Sequence, residues 1–375
     1  MIDPSRPRRL IIHAGTHKTA STYIQARLHL NRDLLLSQRI TYRFPSSEST
    51  TFKSLTKAIS DDAWSRWDDY LSSFDQSPND VLISAEQFSS RLCDPKVIAR
   101  LRRVASTHGY ELSIVIFIRS QLDYINSRYA YSLKRFYHTQ TFETYITEVL
   151  DGHLPGRPPS SGSSNRAQTK RQDVFDFWNY FSALLEARRD GLAVTFIPFR
   201  QTDRDPFVQL LQSLELDPGL PWAMSSDDSR NRSPGTRGTW LARALGLRLA
   251  EHGISQRVIR NSSAIIPSEE KFRGWKDPSF WGYDRELGRR VTRHFKSKNN
   301  HFAEAVWGQS WKAVFVHDDK LRKRPQSTFS PSSPLEAVRM NHIADHLLLR
   351  VARRLEKRPL HLLREPLERI SSILI

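Results

Sequence analysis

Near the amino end of the chain a short apolar run gives way, through a tight loop, to a stretch with helical spacing, and a lysine stands at the junction. Leu10, Ile11 and Ile12 form the run, as a buried strand does. Gly15 permits the turn. From about Thr19 onward, Tyr23, Ile24, Leu28 and Leu30 can share one helical face. The order is strand, loop, helix, with Lys18 at the mouth of the helix.

That order has a physical use. The first N–H groups of a helix lack partners within it, and the helix dipole places partial positive charge there. A phosphate sits well at such a terminus. Lys18 adds a full charge, and Thr19, Ser21 and Thr22 add hydroxyl donors. The stretch reads as a cradle for a phosphate ester. It is not the nucleotide-binding loop G-x-x-x-x-G-K-[ST]: only two residues separate Gly15 from Lys18, and no second glycine precedes the lysine.

Residues 13–22, His-Ala-Gly-Thr-His-Lys-Thr-Ala-Ser-Thr, resemble the 5′-phosphosulfate loop of sulfotransferases that use 3′-phosphoadenosine 5′-phosphosulfate (PAPS). That family commonly reads Gly-x-x-Lys-Thr-Gly-Thr-Thr, so Ala20 and Ser21 are departures, both small. The resemblance implies that Gly15, Thr16, His17, Lys18, Thr19, Ala20, Ser21 and Thr22 hold the donor, with Lys18 on the oxygen that bridges phosphate and sulfonate. A second motif supports it. Residues 112–118, Leu-Ser-Ile-Val-Ile-Phe-Ile, form the most strand-like run in the chain. The run ends in Arg119, and Ser127 follows two helical turns on. This is similar to the family's 3′-phosphate motif, and an arginine fork suits a phosphate.

The resemblance implies a P-loop-like, three-layer α/β fold with a mainly parallel central sheet. A sulfotransferase domain is expected over 1–315, a linker over 316–334 and a basic amphipathic helical extension over 335–375. Further strands are expected at 81–88 and 192–198, and helices at 94–108, 121–134, 174–188, 207–216 and 241–249; the end of 283–307 is similar to a turn that closes the catalytic domain in relatives. Gly109 closes the 94–108 helix, which Asp94-Pro95 opens. Residues 31–80 are helical in pattern. Their aromatics, among them Trp64, Trp67, Tyr70 and Phe74, suit a core face better than a stack on adenine. The Pro/Ser/Gly-rich stretch 151–172 is a loop by composition.

Sulfonate transfer to an alcohol needs a base. Glu86 closes an apolar run, where a parallel strand opens onto a ligand crevice. Related enzymes carry a histidine or a glutamate for this task, so Glu86 is expected to be the general base, with its pKa raised. An acid there also suits capping the next helix or pairing with a basic neighbour. His13 and His17 are the rival bases. Arg232 and Arg237, in a segment similar to one that closes over the 3′-phosphate in relatives, are further candidates for the donor.

The formal charge of +17 favours polyanions, although a solvated basic surface explains most of it. Cys93 is the one cysteine, so no intrachain disulfide and no cysteine metal cluster can form, which fits a reducing compartment. The apolar run after the basic start stops at Ile12, too short for a signal peptide or a membrane span. The expectation is a cytoplasmic enzyme needing no metal and no specific nucleic acid. Peripheral membrane contact is open through a C-terminal helix on which Ile343, Leu347, Val351 and Leu355 share a face. The acceptor expected from bacterial relatives is a saccharide or glycolipid hydroxyl. A P-loop kinase and a basic nucleic-acid-binding protein are the alternatives.

Overall fold

The apolar runs become strands because each is short, rich in Val, Ile and Phe, and bounded by turn residues. The computed structural model describes residues 6–16, 18–154, 174–199, 205–224, 233–254, 258–259 and 262–356. In chain order they form β1 (Arg8–His13), α1 (Ser21–Leu30), α2 (Arg32–Ser37), β2 (Ile40–Thr41), α3 (Lys53–Ser60), α4 (Ser65–Ser72), β3 (Asp80–Ser84), α5 (Phe88–Arg91), α6 (Pro95–Thr107), β4 (Tyr110–Arg119) and α7 (Gln121–Lys134). Then come α8 (Phe142–Leu150), α9 (Phe177–Tyr180), α10 (Ser182–Arg189), β5 (Ala193–Phe199), α11 (Pro206–Ser213), α12 (Thr236–Glu251), α13 (Ser262–Phe272), α14 (Arg285–Trp307), α15 (Trp311–Val314), α16 (Asp318–Lys323) and α17 (Pro334–Glu356).

The fold is α/β, with an open five-stranded sheet in the order β2-β3-β1-β4-β5. Every pairing is parallel. Leu10, Ile11 and Ile12 are wholly buried, as a central parallel strand covered on both faces requires. At the amino edge, the buried carboxylate of Asp80 accepts from Arg6 at 2.6 Å, from Arg9 Nε at 3.0 Å and from the Arg9 amide at 2.7 Å. Arg8 bonds the carbonyls of Ser77 and His108, both at 2.6 Å. The basic start of the chain therefore ties the sheet together.

The residues divide into two interleaved units. The first holds 1–120, 176–231 and 295–318, including the whole sheet; the second holds 121–175, 232–294 and 319–375. These bounds do not follow the sequence boundaries at 315 and 335. In the first unit α6 packs on β4. Asp94 caps α6 through Lys96 N at 2.9 Å, and Gly109 ends the segment at φ +71°. Trp64, Trp67, Tyr70, Leu71 and Phe74 are buried, the core face that their spacing favours. In the second unit α12 packs with α7, α13 and α17. Ile343, Leu347, Val351 and Leu355 of α17 are buried, and Arg248 and Arg350 pair with Asp345 and Glu269 at 2.5 and 3.0 Å. Ahead of α17, Ser327 and Trp281 exchange backbone bonds at 2.8 and 2.9 Å.

Three expectations change. The 81–88 run is a strand only to Ser84: the Ala85 amide makes one more bond, to His13 O at 3.1 Å, and the chain then turns through Glu86 into α5. The helix expected over 174–188 is two, α9 and α10. Asp176 delays its start by accepting from Asn179 N, and Phe181 leaves helical geometry (φ −102°, ψ 16°) with its ring buried against Phe177, Phe196 and Phe302. β2 is a two-residue edge strand within the stretch read as helical. The loop expected at 151–172 lies mostly outside the described residues. Among the described residues no helix is long and apolar enough to cross a membrane.

Candidate active site

β3, β1 and β4 are neighbours, and all run in one direction. From β1 the chain first builds β2 and β3 on one side and later β4 and β5 on the other. The carboxyl ends of strands flanking such a reversal are where open parallel sheets bind ligands. Three sequence candidates meet at this edge: the loop holding Lys18 follows β1, Glu86 follows β3, and Arg119 ends β4.

The loop is tightly drawn. A Cβ on Gly15 would lie 2.3 Å from Ser21 Oγ and 3.2 Å from Thr19 Oγ1, so a larger residue would have to push the Ser21 hydroxyl aside. Thr16 donates its hydroxyl to Phe117 O at 3.0 Å, anchoring the loop to β4. Thr19 donates to Thr16 O at 2.5 Å, which commits its proton inside the loop. Lys18 and Ala20 adopt left-handed backbone at φ +69° and +58°. Left-handed residues in a turn aim successive N–H groups into a concavity suited to anions. Ala20 is the N-cap of α1 without a side-chain cap bond, and the first turn of α1 holds no acid. Ser21 Oγ is buried without a hydrogen-bond partner in the protein. Thr22 is exposed.

Arg119 is 8% exposed and reaches back to this loop: its Nη1 donates to Lys18 O at 2.6 Å, and its guanidinium lies 5.5 Å from the Phe199 ring. The arginine expected to serve a separate phosphate pocket thus also braces the lysine loop. One of its five N–H donors is used there.

His13 ends β1 and is wholly buried. Its Nδ1 lies 2.8 Å from Ser84 Oγ, and Nε2 is buried without a partner in the protein. Burial pulls its pKa down from 6.5 to about 4, against an opposing pull from the charge of Glu86. The imidazole is therefore neutral at pH 7. Glu86 itself is half-buried in its turn, and its carbonyl accepts from Ser89 N and Ser89 Oγ at 3.3 and 2.9 Å. This edge thus sets a neutral, buried imidazole, its Nε2 without a partner in the protein, within electrostatic reach of Glu86.

Ser127 lies on α7, buried, in the second unit. Arg237 belongs to that unit too and grips Asp277 with Nη2 at 2.6 Å and Nε at 2.8 Å, over the Trp275 ring. Its guanidinium is already engaged by a carboxylate. His17 and Arg232 lie outside the described residues. The sequence reading missed the His13–Ser84 pair. Both residues close apolar runs, and aligning those runs as neighbouring parallel strands would have placed them side by side. Among the described residues no group of three or more His, Cys, Asp or Glu is arranged to hold a metal ion.

No protein-family model, no curated protein and no solved structure matches the chain.

Proposed function

We propose that this protein is a PAPS-dependent sulfotransferase on a P-loop-like, three-layer α/β scaffold, acting on a hydroxyl of a saccharide or glycolipid. The observation that carries the reading is the meeting of the Lys18 loop, Glu86 and Arg119 at the carboxyl ends of three adjacent parallel strands. The loop also fits the 5′ end of such a donor. A glycine drawn close against Ser21, an uncapped helix start and a buried Ser21 hydroxyl without a partner in the protein suit a bound phosphate group. The Arg-rich C-terminal helix, by contrast, has Arg350 committed to Glu269, which weighs against the nucleic-acid reading.

PAPS, when bound, supplies a sulfonate on a phosphate–sulfate anhydride. The α1 amides, Ser21 and Thr22 would hold the 5′-phosphate, and Arg119 would hold the 3′-phosphate. Lys18 places its ammonium against the negative charge that grows on the leaving bridging oxygen. Glu86 takes the proton of the acceptor hydroxyl as that oxygen attacks. Neutral His13, braced by Ser84, offers Nε2 as a fixed hydrogen-bonding group beside Glu86. Rate then comes from alignment and charge stabilisation, as in phosphoryl transfer.

Two measurements test this. Calorimetry with adenosine 3′,5′-bisphosphate should show binding that weakens at least about tenfold in Lys18→Ala and in Arg119→Ala; absence of binding, or an affinity that survives the double substitution, overturns the reading. Radiolabelled PAPS with sugar, phenol and steroid acceptors identifies the substrate class. Glu86→Gln should then lose about 100-fold or more in turnover with donor affinity retained, and a near-normal rate removes Glu86 from the mechanism. Turnover of ATP that requires Mg²⁺ would instead point to a kinase.

A further inference from the structure

The two most exposed large apolar side chains among the described residues lie on one groove of the second unit. Phe272 ends α13 and Leu335 stands in the first turn of α17; each is 80% exposed. Val338, one turn after Leu335, is 58% exposed. The groove measures about 510 Å³ and is lined by Phe272 and Leu335 together with Arg237, Arg273, Arg339 and Glu336; Arg237 and Arg273 are held by Asp277 and Glu269 at 2.6 and 2.8 Å. The Glu336 carboxylate is occupied by Ser332, whose amide and hydroxyl donate to it at 2.6 and 2.7 Å. Lys271 and Lys276, both exposed, flank Phe272 in sequence.

This combination selects a type of surface. Lysine is depleted at protein–protein interfaces, whereas here the exposed Lys271 and Lys276 stand beside isolated, protruding apolar tips. A membrane interface accepts that arrangement: apolar tips enter the boundary between headgroups and acyl chains, and cations meet anionic headgroups. We propose that the Phe272–Leu335 edge, with Arg339, Lys271 and Lys276 around it, docks on an anionic lipid surface. The contact is not the amphipathic face legible in the sequence. Ile343, Leu347, Val351 and Leu355 are buried in their own unit and do not reach a bilayer without unfolding it. The docking edge sits instead at the start of α17. The proposal stands independently of sulfonate transfer, because it uses no residue of the Lys18 loop.

The test is co-sedimentation of the full chain with large unilamellar vesicles of phosphatidylglycerol and phosphatidylcholine in equal parts, and with vesicles of phosphatidylcholine alone. The mixed vesicles should bind the protein and the neutral ones should not. Phe272→Ser with Leu335→Ser should weaken binding at least about tenfold, with circular dichroism unchanged, since neither side chain is packed. Arg339→Gln should weaken it about fivefold at low salt, and less as salt screens the charge. Binding that survives the Phe272/Leu335 double substitution overturns the proposal. So does a double variant that converts a dimer into a monomer by light scattering while vesicle binding persists, which would assign this edge to a second copy of the chain.

Discussion

His13 turns burial at the sheet edge into a measurable dependence of stability on pH. In the unfolded chain its imidazole takes up a proton near pH 6.5; in the folded chain burial delays that to about pH 4. Between those values the unfolded state binds more protons, so stability falls as pH falls, and it is fully retained above 6.5. At about 1.36 kcal/mol per pH unit, this interval corresponds to a loss of about 3 kcal/mol by pH 4, of which about 2 kcal/mol is gone by pH 5. The perturbation is His13→Gln, which keeps a polar group beside Ser84 and removes the titration. The assay is hydrogen exchange of the peptide spanning β1, corrected for intrinsic rates, at pH 7.5 and pH 5.0. The wild type should lose about 2 kcal/mol more opening free energy over that range than the variant. His138, buried in the second unit and also lowered to about 4, is common to both proteins and cancels. Because the charge of Glu86 raises the pKa of His13, Glu86→Gln should extend the loss to lower pH. Equal pH dependence in wild type and His13→Gln would refute the placement of a neutral imidazole at the end of β1.

Ala20, at φ +58°, pays the left-handed penalty of a side chain at the N-cap of α1; Ala20→Gly should stabilise the first unit by about 0.5–1 kcal/mol in urea unfolding, and destabilisation would contradict the loop geometry. Arg27 is 2% exposed and leans on Asp205 at 3.1 Å, with Phe207 stacked at 4.4 Å. Asp205→Ala should cost about 3 kcal/mol by stranding that charge, a loss that Arg27→Met in the same background should partly restore. The Cys93 thiol is buried and its pKa is pushed up to about 12 by burial. A disulfide reagent at pH 8 should label it only at the rate of unfolding, and prompt labelling of the native protein would be evidence against its burial.

What the chain reveals on inspection is local. The apolar run to Ile12, the long run ending at Arg119 and the Asp94-Pro95 start of α6 carry their own signals, so β1, β4 and α6 lie where periodicity and turn chemistry put them. The hidden features are relations between distant residues. Pairing of β1 with β3 sets His13 against Ser84, and no period within either run encodes it. The bond from Arg119 to the Lys18 carbonyl spans 101 positions. Arg237 looks free in sequence and is claimed by Asp277, 40 positions away. β2 is too short to show alternation, and the crowding of Phe181 by Phe302 involves a ring 121 residues further on (302 − 181). The candidate site was thus legible as a list of residue types. Its electrostatic character, with a neutral histidine and a braced arginine, arises only from packing.

The interleaving of the two units has a consequence for biosynthesis. All five strands have been made once Phe199 is joined, yet the flank of β5 is still open. Trp307 Nε1, which donates to Phe196 O at 2.8 Å, Lys298, which meets Asp176 at 2.5 Å, and Phe302, which packs on Phe181 and Phe196, arrive about a hundred residues later. At about 5–20 residues per second, a nascent chain carries that aromatic flank uncovered for roughly 5–20 s. A ribosome that stalls before residue 295 releases a sheet without its final cover, an aggregation-prone species that a chaperone has reason to hold.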